Sequence, residues 1–317
     1  MMRAMVYDGR LRLARDYPVP MPGPDEALIK VRMAGICNTD LEIMKGYMGY
    51  QGVLGHEFVG MVEQCAEPGW TGLRVVGEIN CFCGECPACR AGRVTHCPQR
   101  TTLGIWGRDG ALAEYCVLPV RNLHRVPDSV TDVQAVFVEP LAAALEILEQ
   151  VHIKPTQRVI VLGDGKLGLL VAQALRLTGC DLLAIGHHTA KLKVIARLGV
   201  ATQLASEAVA PGADVVVDCT GQEEGFWLAR RLVRPQGTCV LKSTFHGQNL
   251  VNLSEMVVDE ITLVGSRCGP FAPALRLLAG KLVDVESLVS SEFALNDGIT
   301  ALEGAAAKGV MKVLVRI

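Results

Sequence analysis

Hydrophobic positions along this chain follow two different rhythms. As far as about residue 130 they come in short alternating runs broken by Gly and Pro, such as 27–33 and 113–118. Alternation with a period of two buries one face of a strand and leaves the other polar, so this part predicts an antiparallel, barrel-like, β-rich domain. From Val133 the rhythm changes. Helically spaced stretches at 134–150, 167–178, 189–198 and 224–232 alternate with apolar, β-branched runs at 158–162, 181–185, 214–218, 238–241 and 261–264. Strands that are apolar on both faces need helices above and below them, which predicts an α/β, doubly wound parallel sheet. The tail, with a strand at 289–295, a helix at 298–307 and a strand at 311–317, leaves that rhythm and returns to the first domain. The expected boundaries are therefore 1–140 for the β-rich domain, 141–270 for the doubly wound domain, and 271–317 for the return.

The pivotal stretch follows the 158–162 run. Gly163-Asp164-Gly165-Lys166-Leu167-Gly168 leads straight from strand to helix, the arrangement that cradles a dinucleotide pyrophosphate. Gly163 permits the turn, Gly165 clears space for phosphate oxygens at backbone N–H groups, and Gly168 brings the helix close to the strand. The partial positive charge of the helix N-terminus faces the phosphates. Gly163, Gly165, Lys166, Leu167 and Gly168 are the expected cofactor-binding residues of this turn.

Composition narrows the partners. The chain has 317 residues, half of them hydrophobic, enough for two cores. With 31 basic and 33 acidic residues, the net charge of −2 offers no basic field for nucleic acid, and no apolar run is long enough to cross a membrane as a helix. Residues 1–23 lack a charged start followed by an apolar signal core, which predicts a cytoplasmic protein with a small-molecule partner.

Twelve cysteines in a cytosolic protein point to metal rather than to disulfides. Cys83, Cys86, Cys89 and Cys97, at intervals of three, three and eight residues, suit one closed tetrahedral zinc that stiffens a loop poor in apolar core. Cys81 and His96 lie nearby and are read as bystanders. A second group stands upstream, where Cys37 follows a strand and His56-Glu57 arrive 19 residues later. Cys, His and carboxylate are the ligands of an open, catalytic zinc, although each alone is commonplace in a core or at a helix end.

Taken together, Gly35-Ile36-Cys37-Asn38-Thr39-Asp40, Gly55-His56-Glu57, the four-cysteine lobe, Val138-Glu139-Pro140-Leu141 and the Gly163–Gly168 turn occur in one order. In that order the chain resembles the zinc-containing medium-chain dehydrogenases, the alcohol and polyol dehydrogenase superfamily. The resemblance implies a GroES-like catalytic domain, split in sequence, with a Rossmann domain inserted before its last segment. It implies two zincs per chain, the catalytic one held by Cys37 and His56 with Glu57 or Glu139 as further ligand. A Glu139-Pro140-Leu141 there is similar to the sorbitol, threonine and glucose dehydrogenase branch, and a plainer role for Glu139 is a carboxylate at a helix start. Thr39 would pass on the substrate's proton, and Asp40 would orient the histidine. Glu42 stands where some relatives extend the proton route with histidine.

The chemistry implied is hydride transfer between a nicotinamide cofactor and a secondary alcohol, polyol or sugar-like substrate, or its carbonyl, with zinc as Lewis acid. An NAD enzyme usually ends its second strand in Asp or Glu. Here that strand ends in Gly186, followed by His187 and His188, with Lys191 and Lys193 beyond. Gly186 leaves room for a 2′-phosphate and the basic residues could donate to it, so NADP(H) is favoured over NAD(H). The resemblance also places Lys312 where some relatives set a basic residue on the pyrophosphate, and Trp106 either lines the pocket or is a buried aromatic. The alternatives are an NAD-dependent polyol or amino-alcohol dehydrogenase and a non-catalytic nucleotide-binding redox sensor. The resemblance also implies a homodimer or homotetramer.

Overall fold

The computed structural model describes residues 1–207, 210–243 and 251–317. They divide into two units, Met1–Glu139 with Ala274–Ile317, and Pro140–Pro273. The first is built on a seven-stranded sheet whose central member is Glu26–Ile36, paired antiparallel with Glu57–Cys65 on one side and Lys312–Arg316 on the other. Lys312–Arg316 comes from the last residues of the chain, and its register sets Val313 opposite Ile36 and Leu314 opposite Gly35. The inner positions of both strands, Ile29, Val31, Met33, Ala34, Ile36, Val313, Leu314 and Val315, are buried, and this burial of apolar surface ties the tail to the early strand.

The second unit holds six strands, parallel to one another, in the order Ala201–Leu204, Asp181–Gly186, Arg158–Leu162, Ala213–Asp218, Val233–Leu241 and Thr262–Gly265. The sheet is thus doubly wound, with Arg158–Leu162 at the centre and its switch point at the ends of the central strands. Ile160, Leu162, Ile185, Val216, Cys239 and Leu232 pack into one core. The outer strand Ala201–Leu204 carries no apolar run and is half-exposed, so period alone does not reveal it.

The helical stretch at 134–150 is interrupted. A short helix, Asp132–Val136, is closed at its start by a reciprocal pair: Gln134 N–H donates to Thr131 Oγ1 and Thr131 N–H to Gln134 Oε1. It ends at Phe137 (φ −82°, ψ 0°), and Val138–Gln150 begins anew. Pro140 explains the break, since it lacks the N–H that a continuous helix would need and is tolerated only in a first turn. Among the described residues no helix is long and apolar enough to cross a membrane.

Candidate active site

Strand Glu26–Ile36 delivers its chain into Cys37, whose extended backbone (φ −95°, ψ 162°) caps helix Asn38–Ile43. Three residues on, Asp40 folds back to accept the Cys37 N–H at 2.8 Å and the Gly55 N–H at 3.1 Å, and its Oδ1 lies 3.4 Å from His56 Nδ1. A single fully buried carboxylate therefore joins the loops that carry Cys37 and His56. One ligand-type atom from each of Cys37, His56 and Glu57 falls within 4.8 Å of the other two. Thr39 Oγ1 lies 3.8 Å from Cys37 Sγ on the half-buried rim of this group.

The electrostatics suit a cation. Burial pushes Asp40 up, but His56 and the N–H groups of Cys37 and Gly55 outweigh it and hold the carboxyl below its usual range. Burial pushes His56 down, yet Asp40 and Cys37 raise it well above an ordinary histidine. The anionic field that keeps a proton on a buried imidazole is equally a field for a metal ion. Glu57 Oε1 adds to it, being buried without a hydrogen-bond partner among the described residues, a costly state unless a cation meets it. Gly35 makes this approach possible, because a Cβ there would stand 2.5 Å from Glu57 Oε2. Cys37, His56 and Glu57 thus fit a zinc site with open positions.

Glu139 stands outside this group, half-buried in the first turn of Val138–Gln150. Its charge does reach Lys312 and helps raise that group. The expectation for Lys312 itself is corrected. Its side chain is fully buried, its ammonium donates to the Glu57 carboxylate and to Ile36 O at 3.4 Å, and Nζ lies 5.7 Å from the centre of the Phe137 ring. Burial lowers its pKa, but Glu57 and then Cys37 more than compensate, so the ammonium is held above its ordinary value. A buried cation already committed to a carboxylate has no free face for a pyrophosphate. Nothing in the local sequence announces this pairing, because the two residues lie 255 positions apart.

The four-cysteine lobe collects as a second group. Cys83, Cys86, Cys89 and Cys97 bring their sulfurs within 4.8 Å of one another, with Cys86 capping the short helix Pro87–Arg90. Backbone N–H groups of Glu85 and Cys86 hold Cys83 down at about 6, which favours the thiolate that zinc requires. The donor set is all sulfur and closed, which fits a structural zinc. Cys81 is buried apart, with Sγ 3.9 Å from Ile79 O, and His96 is not in the group. Trp106, read as a pocket wall or a buried aromatic, is 51% exposed.

In the second unit, Gly163 adopts φ +109° and Gly168 packs so tightly that a Cβ would lie 2.0 Å from Gly163 O. Gly165 caps helix Lys166–Arg176 and has nothing within 4 Å of its missing Cβ, leaving an open cradle over the helix N-terminus that fits a pyrophosphate. Lys166 and Leu167, half-buried, begin that helix. Strand Asp181–Gly186 ends beside this turn, where Gly163 N–H donates to Ile185 O at 2.8 Å. His187 is exposed, and His188 caps helix Thr189–Ala196, on whose first turn Lys191 is half-buried. The space beside Gly186 is not empty, which corrects the reason given for it: a Cβ there would lie 2.4 Å from Asp164 Cβ and 2.6 Å from its Oδ2. The buried Asp164 is a residue that motif reading passed over, although an acid between two phosphate-cradling glycines was a visible anomaly.

Comparison with known proteins agrees with this geometry. Residues 23–128 match the alcohol dehydrogenase GroES-like domain and residues 167–280 the zinc-binding dehydrogenase domain. Sorbitol dehydrogenase of Halalkalibacterium halodurans is 29% identical over 325 aligned positions, covering 95% of this chain and 94% of the relative. L-galactonate-5-dehydrogenase of Escherichia coli is 29% identical over 301 positions, covering 87% of this chain and 86% of the relative. A Sinorhizobium meliloti protein described as a zinc-binding dehydrogenase, solved bound to NADP, superposes with a TM-score of 0.92 at 31% identity, covering 100% of this chain and 99% of its own. Two domain matches in the expected order, on a fold where half-buried Cys37 and buried His56 and Glu57 converge, place the chain among the zinc-containing medium-chain alcohol and polyol dehydrogenases, and thus among the oxidoreductases.

Proposed function

We propose that this protein transfers a hydride between NADP(H) and a secondary alcohol, polyol or sugar-like substrate, or the corresponding carbonyl. The observation that carries the proposal is the convergence of Cys37, His56 and Glu57 within 4.8 Å of one another in a buried, anionic setting. Zinc held there would supply a Lewis acid for the substrate oxygen, and the nicotinamide would exchange the hydride. Asp40 fixes His56 and the Cys37 turn, so these ligands need no reordering when metal binds. Thr39 Oγ1, half-buried beside Cys37, would accept a hydrogen bond from the substrate hydroxyl and take its proton as the Thr39 hydroxyl releases its own onward. Glu42, three residues on, is paired with Lys45 at 2.8 Å on the exposed side of the helix and could take that proton towards solvent. Glu139, outside the group of three, is held in reserve as an exchangeable ligand.

Polyol and sugar-acid relatives support the substrate class. The NADP-bound relative and the cluster of His187, His188 and Lys191 at the end of the second strand support the cofactor. The protein acts as a homo-oligomer. Among the described residues, Thr262–Gly265 has a sheet partner on one side only, and Leu263, Leu253, Val257 and Val258 lie exposed on and next to it. An open edge flanked by apolar side chains is a ready surface for a second copy.

The test is a screen of secondary alcohols, polyols and carbonyls with both cofactors, with zinc measured on the same sample. Two zincs per chain, activity with NADP(H), and loss of activity with one zinc in Cys37→Ser are expected. A wild-type protein with two zincs and no activity on any of these substrates, or a Cys37→Ser variant that keeps both, would refute the assignment.

A further inference from the structure

Asp164 lies where a carboxylate is least expected. The turn from Gly163 to Gly168 offers backbone N–H groups to an anion, and a second negative charge facing the same point would repel it. The fold resolves this by turning the side chain aside. Asp164 is 6% exposed, and its carboxylate rests against the backbone of Gly186 at the end of the second strand. There it accepts the His188 N–H at 2.5 Å, while its two oxygens lie 3.1 and 3.3 Å from His188 Nδ1. Gly186 is glycine because any side chain would collide with Asp164.

The consequence falls on His188. A carboxylate acceptor against Nδ1 takes a hydrogen bond from that nitrogen and holds the ring plane in place, and with a phosphate at the other nitrogen the ring binds as the imidazolium, which has an N–H donor at both positions. The backbone bond from the same residue closes the clamp, so the imidazole is fixed at two points. Nε2 is left for a ligand on a side chain that is 40% exposed. In a doubly wound sheet, the end of the second strand is where the 2′ position of the adenosine ribose is read. We propose that Asp164 is a positioning residue for cofactor choice: it locks His188 so that Nε2 hydrogen-bonds the 2′-phosphate of NADP(H). This rests on the NADP(H) reading above and adds the residue that enforces it. The charge of Asp164 is spent on His188, so the phosphate meets the ring rather than the carboxylate.

The test uses adenosine fragments, which bind without zinc, substrate or turnover. Titration calorimetry of 2′,5′-ADP and 5′-AMP is carried out on the full chain as wild type, Asp164→Asn, Asp164→Ala, His188→Ala and the Asp164→Ala/His188→Ala double variant. Asp164→Ala is expected to weaken 2′,5′-ADP about tenfold, the scale of one charge-assisted hydrogen bond. His188→Ala should lose at least as much, and the double variant no more than His188→Ala alone, because the two act through one contact. Binding of 5′-AMP should stay within about twofold throughout, which a merely structural role in the turn would not allow. Asp164→Asn keeps the shape of the side chain and serves the comparison if the alanine variant melts early. Equal loss of both fragments, tighter 2′,5′-ADP binding without the carboxylate, or selective loss of 5′-AMP would each overturn the positioning role, the last by making Asp164 a ribose acceptor. A wild-type protein that binds 5′-AMP as tightly as 2′,5′-ADP would instead overturn the NADP(H) reading itself, whatever the variants do.

Discussion

Replacing Lys312 by Met removes a buried ammonium and leaves Glu57 behind. The carboxylate is 1% exposed, one of its oxygens already lacks a partner, and the other loses the ammonium that it accepts from. Breaking a buried pair from one side costs about 3–5 kcal/mol, because the remaining charge is stranded away from water. For a unit of this size each kcal/mol moves the melting temperature by about 2–4 °C, so Lys312→Met should melt roughly 6–20 °C below wild type. The double variant Lys312→Met/Glu57→Gln removes both charges and should recover most of the loss. The sign with pH follows from the raised pKa of Lys312. Its contribution is fully present below the ordinary lysine value and is lost only as pH climbs through the still higher folded value, so the ammonium of the wild-type pair should not weaken across neutral pH. Calorimetric melting of wild type, Lys312→Met, Glu57→Gln and the double variant, at matched zinc content, is the assay. A double variant no more stable than Lys312→Met, or a single variant within 2 °C of wild type, would refute the idea that Glu57 depends on Lys312.

Two further outcomes follow from packing. Gly168→Ala sets a Cβ 2.0 Å from Gly163 O, so the helix must withdraw from the turn, at about 1–3 kcal/mol of overpacking; binding of NADPH and NADH, followed by fluorescence titration, should fall together by at least about tenfold, and an unchanged affinity would contradict the account of the cradle. Leu263→Lys places a charge on the open sheet edge and should shift the proposed oligomer towards monomer in light scattering with activity per folded chain retained, whereas an unaltered mass would refute this edge as the contact.

The amino-acid order determined the class of fold, because doubly buried strands such as Arg158–Leu162 and Ala213–Asp218 must carry an unbroken apolar run, here 159–162 and 215–217, and helices must show one apolar stripe. It also marked out the four-cysteine lobe and the glycine turn, whose partners lie within fifteen residues of each other and so obey local spacing. The half-exposed strand Ala201–Leu204 and the break at Phe137 were not legible: the first lacks a period, and the second depends on where Pro140 falls within a helical stretch. Beyond these, three decisions belong to the tertiary structure. The last strand lies against the 26–36 strand, which turns Lys312 from a candidate phosphate ligand into the counter-charge of Glu57. Asp164 crosses 24 positions to clamp His188 and fills the space beside Gly186. Glu139 remains apart from Cys37, His56 and Glu57. In each case the energy of a charge depends on which other charge and how much water stand within a few ångströms of it, and those neighbours come from distant parts of the chain that only the packed fold brings together.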